Sequence, residues 1–440
     1  MANGQAKKDE RTVTTRIADL LAQMPAADAE LFKNNVNDIA NLGEEGYVTL
    51  ISGLSAPGKG NNSLIEYTVG GFSAYITQNG KEDWRKMAVA AYCKALDKLT
   101  DKQNKSFIIS QFDLVGKDDA VSCIQGYLTD DQLADPAARA LVKINTPASK
   151  AALLAGLAKA NGAAKLSIIE SLGDSRFKEA AQPINALASD GDANVAKVAL
   201  YALAYIADPS SEAVFAAAAD KSGFKYENTN TAAVYLIYAE QLLKNGNKEL
   251  AEKIAKDIAG KVNTDELVGV RTGALKVLVE ANKDNNQELL LDAAGDKNAE
   301  YRAAALKFAV PYVTSASTPL WVKKLGKVDD DGKAGILSML GQSGAKEALP
   351  AVIKLLKSKN ETVKLAAINA AVNIGQDQVL DDLLKLASKG DTANVTAVSN
   401  AIHRMKGTGI TEKIAAAIPS AKPNVQVALI NLLASRAANG

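Results

Sequence analysis

Six stretches in the second half of the chain repeat one another at a nearly constant interval. They are "VRTGALKVLVEA" from Val270, "YRAAALKFAVPY" from Tyr301, "GKAGILSMLGQS" from Gly332, "VKLAAINAAVNI" from Val363, "VTAVSNAIHRMK" from Val395 and "VQVALINLLASR" from Val425. Their starts lie 31, 31, 31, 32 and 30 residues apart. Upstream, "AKLSIIESLGDS" from Ala164 and "VAKVALYALAYI" from Val195 are also 31 apart, and "VYLIYAEQLLKN" from Val234 stands at wider spacings of 39 and 36. The loop-like "DKSGFKYENTNT" supplies an insertion there. A period of this length requires a small unit that cannot bury its own apolar side and so stacks on its neighbours.

Each block reads as a helix. With its first residue as position zero, position five is Ile169, Leu200, Leu275, Leu306, Leu337, Ile368 or Ile430. Position eight is Leu172, Leu203, Leu242, Leu278, Leu340 or Leu433, three residues on along the same helical face. Position three is often small (Gly273, Ala304, Gly335, Ala366, Ala428), which lets backbones approach. A second helical segment precedes the block, as in "KEAAQPINALASD", "NQELLLDAAGD", "AKEALPAVIKLLKSK" and "VLDDLLKLASKG", with turn residues such as Gly191-Asp192, Lys297-Asn298 and Lys359-Asn360 between the two. Stacked antiparallel helix pairs predict an all-α chain, an α–α superhelix. The expected division is an irregular helical region over 12–134, continuous with a repeat array over 135–440.

The helix-pair unit, with Val270-Arg271 and Tyr301-Arg302 followed by small and aliphatic residues, resembles a HEAT repeat of the short bacterial type. The resemblance covers residues from about 135 to the end, and its period is shorter than the about 40–47 residues common for that class. Taken whole, the order "GKGNNSLIEYTVGGFSAYI" then "WRKMAVAAYCKAL" is similar to the helical N-terminal part of secreted bacterial multidomain proteins that carry a keto-disaccharide hydrolase domain. That resemblance implies a periplasmic or extracellular location, with any catalysis in a domain outside this sequence.

Composition agrees with closely packed helices: 47% of the 440 residues are hydrophobic but only 5% aromatic. Lys+Arg (51) and Asp+Glu (50) nearly cancel, so no global field attracts nucleic acid or an anionic membrane. No apolar run approaches the ~20 residues that span a bilayer. The polar start, "MANGQAKKDERT", lacks the apolar core of a secretion signal, and its Asn-Gly stretch is compatible with a join left where one was removed. Cys93 and Cys123 are too few for a disulfide scaffold or a cysteine zinc cluster. Lying in apolar helical segments, they are expected to be buried thiols.

Local motifs point mostly away from chemistry. Gly53-Leu-Ser-Ala-Pro-Gly58-Lys59 fits the first seven positions of a phosphate-binding loop, but Gly60 stands where a Ser or Thr must hold magnesium. A helix is expected only from about Ser63, with Glu66 completing a capping box, so the stretch reads as an inter-helix loop. "KVDDDGKAGIL" resembles the start of a calcium loop, but Lys327 occupies the first ligand position and Ser338 the place of the closing Glu. His403 is the sole histidine, which leaves little material for histidine metal clusters or Ser-His-Asp catalysis. No carboxylate pair is singled out by its spacing.

Three features suggest surfaces. Lys165, Arg271, Arg302, Lys333 and Lys364 occupy position one, a ladder for an anionic polymer or a set of stems paired with turn acids such as Asp296 or Asp330. In the block from Val395, Asn400, His403 and Arg404 stand where apolar or small residues are usual, on one helical face. They mark either a locally hydrogen-bonded patch or a contact with a partner or adjoining domain. Tyr67, Phe72, Tyr75 and Trp84 form an aromatic group, either core or a sugar-stacking surface. At the other end, "NVQVALINLLASRAANG" lacks the polar outer face of a capping repeat, which suggests a longer natural chain.

The expectation is a non-enzymatic protein-interaction or scaffold module without cofactor or metal, part of a larger secreted protein. Its partner would be a protein or an adjoining domain, without nucleic acid or membrane insertion. The alternatives are a carbohydrate-processing enzyme or carbohydrate-binding module, and an anionic-ligand binder along the basic ladder. The location is periplasmic or extracellular on the resemblance, with the cytoplasm left open by the residues themselves.

Overall fold

The computed structural model describes residues 11–388, 391–406 and 409–437, so the Asn-Gly stretch near the start and the last three residues lie outside it. Every described element is helical. Residue contacts divide the chain into two compact units, Met1–Asn245 and Gly246–Gly440.

The first unit begins with α1 (Val13–Ala22), α2 (Ala29–Ile51), α3 (Ser63–Tyr75), α4 (Glu82–Lys98), α5 (Lys102–Val115) and α6 (Asp118–Ile124). It continues with α7 (Ala134–Ile144), α8 (Pro147–Leu157), α9 (Gly162–Asp174), α10 (Ala181–Asn185), α11 (Ala193–Ile206), α12 (Glu212–Ser222) and α13 (Thr231–Lys244). Within α2 the backbone breaks at Gly43, whose φ of 69° and ψ of −178° are open to glycine at little cost. The segment is therefore two helices end to end, the second ending at Ile51. From α7 onward the helices pair as α7/α8, α8/α9, α10/α11 and α12/α13, while α7, α9, α11 and α13 stack side by side.

The second unit contains α14 (Lys248–Lys261), α15 (Val268–Ala281), α16 (Gln287–Ala293), α17 (Ala299–Ala309), α18 (Thr318–Leu325) and α19 (Asp330–Ser343). It ends with α20 (Leu349–Leu355), α21 (Glu361–Gly375), α22 (Leu380–Ala387), α23 (Thr392–His403), α24 (Ile410–Ala417) and α25 (Pro423–Ala437). Here α15, α17, α19, α21, α23 and α25 form the stack, and each pairs with the helix before it, which is the shorter of the two from α16 onward. One continuous aliphatic core runs along the unit from Leu275 to Leu432 and encloses Trp321. Full burial of a Leu, Ile or Val is worth roughly 1.5–3 kcal/mol, and the recurring buried positions supply several per repeat. Both units have the architecture of the α–α superhelix class, stacked antiparallel helix pairs.

The cysteines correct the expectation of buried thiols. Cys93 on α4 and Cys123 on α6 are half-buried and joined as a disulfide, with Cα atoms 5.6 Å apart. Sequence spacing carried no sign of this, because facing positions on two helices are brought together only by the fold. An ion pair reinforces the same link. Arg85 of α4, 6% exposed, donates to Asp119 of α6 at 2.6 Å, to Glu82 at 2.9 Å and to the Val115 carbonyl at 3.0 Å.

Candidate interaction surface

The N-caps of the stacked helices set the register of every outward side chain. In four successive repeats an Asn or Asp side chain accepts from the amide three residues on. These are Asn298 from Tyr301 at 3.0 Å, Asp329 from Gly332 at 2.8 Å, Asn360 from Val363 at 3.1 Å and Asp391 from Asn394 at 3.3 Å. The four caps are each 31 residues apart. Position zero in α23 is therefore Asn394, not Val395, and the period is 31 throughout the second unit.

Burial follows that register. Position four is buried in every repeat of this unit, as Ala274, Ala305, Ile336, Ala367, Val398 and Leu429. The departure expected at Asn400, His403 and Arg404 is thus a one-residue misalignment. Val395, the first apolar residue of its block, resembles Val363, whereas the buried Asn394 is its true counterpart. Asn400, His403 and Arg404 are all exposed, so none carries the burial cost expected of a polar group in a core seam.

Asn400 and His403, but not Arg404, line a groove. Position nine is Gly173 in α9 and Gly341 in α19, and there the neighbouring helix presses close. A Cβ on Gly173 would lie 2.7 Å from the Ala202 Cα, and one on Gly341 would lie 3.0 Å from the Ala370 Cα. In α23 position nine is the exposed His403, and the groove, of about 360 Å³, runs along the α23/α25 seam. Ser399, Asn400, His403, Ala428, Asn431 and Ser435 line it. Ser435 Oγ lies 3.3 Å from His403 Nδ1. Arg436 closes the C-terminus of α23 by donating to the carbonyls of Ile402 (2.8 Å) and Met405 (3.0 Å). Arg404 donates to Asn369 Oδ1 on α21.

The basic ladder is occupied locally. Arg271 pairs with Asp296 at 2.5 Å and lies 3.8 Å from the Tyr301 ring centre. Partial burial pushes the Asp296 carboxyl up, but the Arg271 hydrogen bond and the Asn298 amide outweigh it and hold it below the usual range. Arg302 donates to the carbonyls of Asp296 and Lys297. Lys333 pairs with Asp330 and Lys364 with Glu361, both at 2.7 Å. Lys165 is half-exposed on α9. Asp330 and Glu361 sit in first helical turns, where the helix dipole favours negative charge, and Asp296 lies in the loop just before the α17 N-cap. Asn298 also donates to Asp265 at 2.7 Å and Asn360 to Asp330 at 3.0 Å, so the caps tie one repeat to the next.

The remaining motifs have structural places. The loop after α2 is closed on itself: the Ser55 amide donates to Asn62 Oδ1 and Asn62 Nδ2 to the Ser55 carbonyl, both at 2.8 Å. Asn104 Nδ2 donates to the same carbonyl at 3.0 Å. The capping box expected at Ser63 and Glu66 is not formed. Asn62 is the N-cap residue and its side chain is turned to the loop, while the Ser63 amide donates to Asn61. In "KVDDDGKAGIL", Asp329 caps α19 and Asp330 holds Lys333, and no cluster of three His, Cys, Asp or Glu suited to a metal occurs among the described residues. Phe72 is fully buried and Tyr67 exposed. Tyr75 and Trp84 are half-buried and stacked, and Lys81 lies over both rings, 3.8 Å from the Trp84 centre. No helix among the described residues is long and apolar enough to cross a membrane.

Residues 318–401 match the family model for HEAT repeats. No curated protein matches the chain. Among solved structures, the chain is similar to human deoxyhypusine hydroxylase in complex with glycerol, at 14% identity over 65% of this chain and 95% of that one, with a TM-score of 0.24. It is also similar to Kap121p, at 10% identity over 97% of this chain and 57% of that one, with a TM-score of 0.40. The matched helix pairs are HEAT repeats, and the stacked antiparallel pairs of each unit have the α–α superhelix architecture.

Proposed function

We propose that the chain is a non-enzymatic protein-binding scaffold that works in an oxidising compartment, periplasmic or extracellular, as one part of a larger secreted protein. The observation that carries the binding role is the groove along the α23/α25 seam, lined by hydroxyl and amide groups together with His403 and aliphatic side chains. A HEAT-type stack presents such side chains on successive helices in fixed register, which suits holding an extended surface. The disulfide supports the compartment, because such bonds persist where thiols are not kept reduced. Membership of a larger secreted protein rests on the sequence resemblance alone.

The alternatives have less support. Stacking of a sugar on Trp84 meets Lys81 already over that ring. An anionic polymer along the ladder would have to displace Asp296, Asp330 and Glu361 from Arg271, Lys333 and Lys364.

Affinity capture from the native extracellular fraction, with quantitative comparison of the chain and its A428R/N400R variant, tests the binding role. Saturable protein partners lost in the variant are expected. Turnover of disaccharides by the purified chain, with no saturable protein partner, would overturn the reading. Thiol titration of native material should find both cysteines unreactive, and two free thiols per chain would contradict the compartment.

A further inference from the structure

We infer that the outward face of α21, α23 and α25 binds an extended peptide segment through its main chain; this rests on the protein-binding reading and names the chemistry of what is bound. Counted from the N-caps, position six is Asn369, Asn400 and Asn431, the same side chain on three successive helices at intervals of 31. Earlier repeats of this unit hold Lys276, Lys307 and Ser338 there, so the repeat itself does not require asparagine. Packing does not require it either, since Asn369 is half-exposed and Asn400 and Asn431 are exposed. Asparagine is also a poorer helix former than lysine or glutamine, which suit an exposed mid-helix position better.

A primary amide carries two N–H donors and a carbonyl acceptor, the complement of a peptide group. Asn400 and Asn431 line the same groove. Arg404 joins the third rung to them by donating to Asn369 Oδ1, which orients that amide. Adjacent packed helices stand about 8–10 Å apart. A polyproline II backbone advances about 9.3 Å in three residues, so every third peptide group meets a rung. Such a segment makes no internal hydrogen bonds and gains from the rungs what a helical partner already has. The groove lining contains no carboxylate, lysine or arginine, and Arg404 beside it is already bonded to Asn369, which favours main-chain recognition over charge pairing. It contains no Phe, Tyr or Trp, which favours peptide over a stacked sugar ring.

The probe is a set of phage-displayed random peptides of about 12 residues selected on the full chain. The enriched peptides are then measured by fluorescence anisotropy. Alanine at Asn369, Asn400 and Asn431 together should weaken them at least tenfold while leaving the thermal melt of the chain unchanged. Asn400→Asp, which keeps the acceptors and removes the donors, should weaken them several-fold. N-methylation of the peptide backbone at three-residue intervals should also abolish binding. Failure to enrich any peptide would overturn the inference. Equal binding by the triple variant would also overturn it, while leaving a protein-binding role at another surface intact. Neutral oligosaccharides retained by the chain and lost with the triple variant would replace peptide with carbohydrate.

Discussion

A Cβ added to Gly173 would meet the Cα and Cβ of Ala202 at 2.7 and 2.9 Å, atoms of a neighbouring helix with little room to move. Gly70, in the interior of α3, has nothing within 4 Å of the same position. The two glycines therefore predict opposite signs. Replacing a mid-helix Gly by Ala gains up to about 1 kcal/mol in propensity, so Gly70→Ala should raise the denaturant midpoint slightly. Gly173→Val should lower stability by about 2 kcal/mol, because overpacking costs typically 1–3 kcal/mol. Equilibrium urea unfolding of both variants measures the contrast. A second residue gives a pH signature. Partial burial pushes the Glu227 carboxyl up, but hydrogen bonds from the Thr229 hydroxyl and the Thr229 and Thr231 amides outweigh it and hold it at about 2. Since this lies below the ordinary 4.5, the stabilisation is complete above about pH 4.5 and is lost as pH falls to about 2. Glu227→Gln should therefore cost about 1 kcal/mol near neutrality, the scale of a lost helix cap, and nothing near pH 2. Thermal melts across that range test it.

At the scale of elements, α4 and α6 are joined twice, by the disulfide and by Arg85 with Asp119. Cross-linking residues 30 apart removes chain entropy from the unfolded state, worth about 3.6 kcal/mol in the loop-closure account. Cys93→Ser with Cys123→Ser should lower unfolding free energy by that amount, and adding reductant to the unmodified chain should reproduce the loss. Neither link was legible beforehand: both depend on which turns of two helices face each other, and a two-cysteine count says nothing about that. The helices themselves were legible, because their aliphatic spacing reports burial directly. The one-residue slip at Val395 has a clear cause. Apolar residues at positions zero and one look alike in sequence, whereas the caps Asn298, Asp329, Asn360 and Asp391 mark the register without ambiguity. Reading caps before aliphatics would have placed Asn400 on the outward face from the start.

For the whole molecule, the account rests on interchangeable seams. Leu306, at position five of one repeat, packs beneath Gly335, at position three of the next, and these two positions are small or aliphatic throughout the second unit apart from Ser399. Stability in such an array is close to a sum of repeat and neighbour terms, so one whole period can be removed without destroying the rest. Deleting residues 332–362, one period of 31, puts Val363, position zero of the next repeat, directly after Asp331 in place of Gly332. Circular dichroism and urea unfolding of this deletion test the claim most directly. The account predicts a helical protein that still unfolds cooperatively, whereas a deletion ~5 residues longer or shorter, which breaks the register, leaves the unit disordered. Loss of helicity and cooperativity in the one-period deletion, equal to that in the out-of-register deletions, would contradict it.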